Sequence, residues 1–313
     1  MKTCGQRVVI VLIIFFSFNI GSGYAQSYGT IAIHKNTDFH WPKGKKMALS
    51  LSFDDARLTQ ADKGIPLFDK YGVKATFYVL PDSVKMRLET WKSAVKNGHE
   101  IGNHSILHPC SGNFIWAREQ ALEDYTLPRM HVELDSANKS IQQILGIVPV
   151  SFAYPCGQKF VGRGAMTKSY VPVISALFET GRGWRDEGSN DPAYCDMSQL
   201  AGMEMDNKSF DEIKKLIESA KKDGLWLVLA GHEINDGGAQ TSLLSTLETI
   251  CKYAKDTANG IWIDNVKNIA SYINNKRENI ESAELLPFQN PIFLDEQRVE
   301  DFLSRMTLEE EIK

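Results

Sequence analysis

The sequence predicts an α/β fold built on a parallel sheet, open or closed into a barrel. Short apolar strands alternate with helical stretches from residue 46 to 276. Residues suited to chemistry follow several of those strands directly, which is where parallel α/β folds place their sites. No internal repeat or low-complexity tract interrupts the pattern.

The elements read in order. "MALSLSF" (47–53) is a strand, and "LTQADKGIPLFDKYG" (58–72) a helix closed by Gly72. "KATFYVL" is the next strand, and "RLETWKSAVKNG" a helix stopped by Gly98. "VPVSFAY" (148–154) and "LWLVLA" (225–230) are further strands. In "SFDEIKKLIESAKKDG", Ser209 caps a helix with Glu212 three residues on, the pattern of a capping box. "TSLLSTLETICKYAK" and "VKNIASYINNK" are helical, with the strand "GIWIDN" between them.

Composition sets bounds. With 313 residues, 43% of them hydrophobic, the chain can bury a sizeable core. Its net charge of −4 argues against a nucleic-acid surface. Lys2 and Arg7 precede an apolar run at 8–20 that is too short for an ordinary membrane span. Small Gly23 and Ala25 follow, so residues 1–25 read as a signal peptide cleaved before Gln26. The mature protein is then exported, periplasmic or extracellular, with no membrane attachment after cleavage. Cys110, Cys156, Cys195 and Cys251 would remain in an oxidising compartment, where four cysteines allow three pairings. No Cys-x-x-Cys pair suggests a cysteine zinc site.

The candidate chemistry starts at "LSLSFDDARL", where Asp54 and Asp55 end an apolar strand side by side. Adjacent carboxylates there repel each other, and a cation would offset that repulsion. In "GHEIGNHSILHP", His104 and His108 stand four apart, a spacing that on a helical turn puts both imidazoles on one face. With one aspartate they make a two-nitrogen, one-oxygen metal set. His232 directly follows the apolar strand "LWLVLA" and Gly231, again at a C-terminal end. If Asp55 holds the metal, Asp54 is free to serve as general base, and His232 can protonate a leaving group. Lone His34, His40 and His131 read as solvated or satisfied. His99-Glu100 is not a zincin motif, because the next histidine is five residues on. The absence of a G-x-S-x-G motif disfavours a serine hydrolase.

"SFDD", "HSILH", "FAYPCG" and the late histidine, in this order, resemble the NodB-like polysaccharide deacetylases, carbohydrate esterase family four, over residues 44–275. The resemblance implies a distorted (β/α) barrel and a divalent metal, often zinc, used to remove acetyl groups from carbohydrates. It implies Asp54 as base, Asp55, His104 and His108 as metal ligands, and His232 as acid. The family's third motif usually reads Arg-x-Pro-Tyr, whereas here Ala153 stands at the arginine and Cys156 at the aromatic. Cys156 can still offer the backbone N–H that the aromatic contributes to an oxyanion hole. Arg182, in "FETGRGWRDEGSND", is the candidate for the missing guanidinium, and Trp184 for a wall of the acetyl pocket. Tyr154 and Cys156 are further candidates for contact with substrate.

These readings divide the chain into residues 1–25, a deacetylase domain at 26–280 and a segment at 281–313. The last resembles the opening of family 3 glycoside hydrolases, through "RVEDFLSRMTLEE". It suggests a fused or partner glycosidase. The expected activity is hydrolysis of the carbon–nitrogen bond of N-acetylated sugars. An O-acetyl (acetylxylan-type) esterase and a catalytically silent carbohydrate-binding module are the alternatives.

Overall fold

The computed structural model describes residues 39–284. The predicted signal peptide, His34 and the glycosidase-like segment beyond residue 284 lie outside the described residues. In chain order the strands are β1 (Met47–Asp54), β2 (Thr76–Val79), β3 (Glu100–Asn103), β4 (Ser151–Ala153), β5 (Phe160–Val161), β6 (Lys168–Ser169), β7 (Thr180–Arg182), β8 (Met203–Glu204), β9 (Trp226–Gly231), β10 (Glu233–Asn235), β11 (Thr241–Leu243) and β12 (Ile261–Ile263). The helices are α1 (Ile65–Tyr71), α2 (Pro81–Lys85), α3 (Leu88–Lys96), α4 (Leu127–Leu145), α5 (Val171–Leu177), α6 (Phe210–Asp223), α7 (Leu244–Lys255) and α8 (Val266–Glu284).

The main sheet is parallel and ordered β7-β4-β3-β2-β1-β9-β8, with β12 also paired to β1. It curls into a half-barrel, in keeping with the distorted (β/α) barrel expected from the sequence. β1 is its centre: one edge lies along β9, while the other pairs with β12 through Met47–Leu49 and with β2 through Ser52–Asp54. The alternation of β1 explains its composition. Met47, Leu49, Leu51 and Phe53 are buried in one core cluster with residues of α1, α3, α6 and α7, each contributing about 1.5–3 kcal/mol by burial. The opposite face carries Ala48, Ser50, Ser52 and Asp54. There Ser50 accepts from the Trp226 indole at 3.1 Å and Ser52 donates to Leu229 O at 2.8 Å, so the buried hydroxyls are satisfied.

Local signals account for most helix ends. Ser209 and Glu212 form the predicted capping box on α6, and Gly72 closes α1 with φ 60°. One helix departs from expectation. The stretch predicted as a single helix over 58–72 passes through a π-helical turn at Gln60–Gly64 before α1 begins. Pro66 has no N–H to give to the preceding turn. The buried Gln60 side chain also reaches away, donating to Asp54 O at 2.6 Å and His232 O at 2.9 Å. That amide ties together the ends of β1 and β9, the two strands that deliver the aspartates and His232.

Candidate active site

The candidate residues meet at the C-terminal ends of the strands. Asp54 is the last residue of β1, and the chain leaves it through Asp55 (φ 76°) and Ala56 (φ 53°). This left-handed exit lets adjacent aspartates do different things. Asp54 is buried and receives a hydrogen bond from Arg182 Nη2; the side chains are 4% and 0% exposed. Asp55 Oδ1 lies 3.5 Å from His104 Nε2 and 3.6 Å from His108 Nε2.

Arg182 is the candidate for the guanidinium missing at Ala153, and it reaches Asp54. It ends β7, and its Cα is paired in register with that of Ala153 on β4. A small residue at 153 therefore stands beside the guanidinium instead of supplying one. Arg182 also donates from Nη1 to Gly183 O at 2.6 Å and stacks over the Tyr78 ring at 4.9 Å from Cζ to centroid.

The two metal-candidate histidines are brought together, but not on a helical turn. His104 follows β3 and His108 sits in an irregular loop, with φ 68° at Ser105 and 50° at His108. Side chains take the backbone donors that a helix would use. Asn103 Oδ1 accepts from Ser105 N–H at 2.6 Å, Glu133 Oε1 from Leu107 N–H at 3.0 Å, and Ser105 Oγ from His108 N–H at 3.0 Å. The donor atoms of Asp55, His104 and His108 all lie within 4.8 Å of one another. An N₂O set on a cleft, with His104 Nδ1–H donating to Ala153 O at 2.9 Å, fits a divalent cation.

Charges around this set favour the ligand forms. Burial works to raise the Asp55 carboxyl, yet His104, His108, His232 and Arg57 outweigh it and hold it below its ordinary value. Burial, assisted by His104, pulls the His108 imidazole down to about 4, leaving it neutral near neutral pH.

His232 follows β9 and donates from Nδ1 to Asp206 Oδ2 at 2.7 Å. Asp206 is held in turn by His232 N–H at 3.1 Å and by Ser242 Oγ at 2.7 Å. Burial tends to lower the His232 pKa, but the Asp206 hydrogen bond and the charges of Asp54, Asp206 and Asp55 raise it overall. Trp184 meets the His232 ring edge-on at 4.7 Å.

Asp54, Asp55, His104, His108, Trp184 and His232 line one cleft of about 1170 Å³, which also takes in Cys156 and the aromatic pair Phe114 and Trp116. Tyr154 is a correction. It is fully buried, packs with Phe152 and Tyr170, and donates to Ser198 O at 2.7 Å, so it does not face the cleft. The period-two alternation of "FAY" already puts Tyr154 on the Phe152 face of β4, away from Ala153. Cys156 does line the cleft, with φ 55°, and forms a disulfide with Cys110.

Sequence reasoning missed three residues. Asp206 carries no local signal, since its partner His232 follows β9, the strand paired with β8 just before Asp206. Arg57 grips Asp55 Oδ2 from Nε at 3.0 Å and Nη2 at 2.9 Å. Gln60 was hidden inside a helical pattern.

The half-barrel thus gathers at one end a possible metal-donor set and two buried ion pairs, Asp54 with Arg182 and His232 with Asp206. Residues 42–167 match the family model described as polysaccharide deacetylase. The chain is 35% identical over 96 residues to an uncharacterized Bacillus subtilis (strain 168) protein, YlxY, covering 31% of this chain and 27% of that one. It is 30% identical over 115 residues to a peptidoglycan-N-acetylmuramic acid deacetylase of the same organism, covering 36% and 40%. The chain thus spans less than half the length of these curated relatives. A crystal structure described as a polysaccharide deacetylase from Mycobacterium smegmatis shares the fold, with TM-score 0.55 and 15% identity over 76% of this chain and 94% of that one. No helix among the described residues is long and apolar enough to cross a membrane.

Proposed function

We propose that this chain is an exported, metal-dependent hydrolase that removes acetyl groups from N-acetylated sugars of a polysaccharide. One observation carries the reading: Asp54, paired with Arg182, and His232, paired with Asp206, line the same cleft as the Asp55–His104–His108 set.

Asp55, His104 and His108 would hold a divalent ion, with zinc suited to this N₂O donor set. When bound, the ion supplies Lewis-acid polarisation of the acetyl carbonyl. The chain's own groups divide the remaining work. Asp54, held by Arg182, accepts a proton from the attacking water. The backbone N–H of Cys156, in the turn after β4 that lines the cleft, would donate to the charge developing on the carbonyl oxygen. Bonds within that turn run from Gly157 N–H and Gln158 N–H, leaving the Cys156 N–H outside them. His232, kept protonated by Asp206, gives its proton to the departing sugar amine, and Trp184 walls the acetyl group. Acetate and a free amine are the products.

The B. subtilis relative is named for N-acetylmuramic acid of peptidoglycan, which supports an amide substrate over an ester. The domain at 26–280 would act on an acetylated carbohydrate, with the segment at 281–313 joining it to a glycosidase. Acetate release from N-acetylated chitooligosaccharides and from acetylxylan, measured side by side, tests the reading. Release from the former supports it. Release from acetylxylan alone, or from neither, overturns it.

A further inference from the structure

The two metal-candidate imidazoles are supported differently at their outer nitrogens. His104 Nδ1–H donates to Ala153 O on β4 at 2.9 Å. His108 Nδ1 instead faces a sulfur, Cys110 Sγ, at 3.7 Å. Cys110 is fully buried and bonded to Cys156, 46 residues away in sequence. Cys156 belongs to the turn that leaves β4. Both imidazoles are therefore referred back to the same strand, one through a carbonyl and the other through a disulfide.

The segments that the disulfide joins carry strained backbone. Ser105, His108 and Cys156 all adopt left-handed φ values without being glycine, conformations that persist only where the surroundings enforce them. His108 lies two residues from Cys110, and Cys156 is itself one end of the bond. A cross-link at this place fixes a metal ligand and an oxyanion donor relative to each other.

We propose that the Cys110–Cys156 disulfide is a positioning element of the active site. It holds His108 in its ligand orientation and the Cys156 N–H at the cleft. The cysteine found where the family motif has an aromatic is then explained: a covalent tether takes over the placement of the turn. The proposal rests on the metal-dependent reading above, and its test is chosen to be separable from it.

The test compares the full chain with the C110A/C156A variant, each stripped by chelator and reloaded with cobalt(II). The rate of cobalt loss to excess EDTA is followed by visible absorption, well below both melting temperatures. Loss of an outer support of a ligand histidine predicts about 10–100-fold weaker metal retention, with an altered cobalt spectrum. On a substrate that the wild type turns over, kcat falls while KM stays near its starting value. A variant with a lower melting temperature but unchanged cobalt loss and spectrum would make the disulfide a structural staple only and overturn the proposal. Should the alanine pair fail to fold, C110S/C156S, closer in size to the native pair, is read the same way. Metal retention needs no substrate, so a protein that releases acetate from no glycan refutes the functional reading while the cobalt data still decide this one.

Discussion

Replacing Arg182 by alanine removes one half of an ion pair that is closed to water on both sides, with side chains 0% and 4% exposed. The Asp54 carboxylate would keep its burial and lose its counter-charge. Breaking such a pair by deleting one partner costs about 3–5 kcal/mol. For a domain of this size each kcal/mol lowers the melting temperature by about 2–4 °C, so a drop of roughly 6–20 °C is expected. Acetate release should fall by about 100-fold, because the base loses the group that orients it. The register supplies a rescue. Since Ala153 and Arg182 are neighbours on β4 and β7, the double variant R182A/A153R places a guanidinium one strand over. It should recover part of both losses. R182A combined with D54N should cost less stability than the two single losses added, because they share one interaction. Thermal melting and acetate release measure these outcomes. A melting temperature within about 2 °C of wild type, or additive losses in the double variant, would refute the argument.

Two further outcomes follow from neighbouring contacts. In Asp206→Asn the imidazolium of His232 loses its partner, while burial still opposes the charged form. Its raised pKa therefore drops, the protonated acid is lost at lower pH, and the alkaline limb of the pH–rate profile moves downward; activity on that limb falls about 10-fold. An unmoved limb would exclude His232 as the acid. In Gly102→Ala the new methyl would lie 2.4 Å from Tyr78 Cδ1 and 2.7 Å from Ser151 Oγ. Overpacking of about 1–3 kcal/mol is expected, with reduced turnover because Tyr78 backs Arg182. A variant as stable and active as wild type would show that this wall gives way easily.

The legible parts of the molecule were those written in local periodicity. β1 alternates because one face meets helices and the other the barrel interior. α6 announces itself by its capping box. Asp54, Asp55 and His232 stand out because each ends or directly follows an apolar strand, and Arg182 is a candidate because the motif has Ala153 where an arginine is usual. What escaped was set by contacts distant in sequence. The i,i+4 spacing of His104 and His108 suggested a helical turn, but Asn103, Ser105 and Glu133 side chains hold the loop open. Asp206 is a partner only because β8 lies beside β9. Three disulfide pairings were open, and only the meeting of the β3 and β4 loops selects Cys110 with Cys156. Tyr154 is a different kind of miss, since the alternation of its own strand assigns it to the core.

Adjacent aspartates with separate jobs are the centre of the account. Metal content per chain, measured together with acetate release, tests that division in Asp54→Asn and Asp55→Asn proteins. Asp54→Asn should keep the wild-type metal content and lose about 100-fold or more in turnover, the signature of a missing base. Asp55→Asn should lose metal as well as activity. Equal metal loss in both variants, or full turnover in Asp54→Asn, would contradict the assignment.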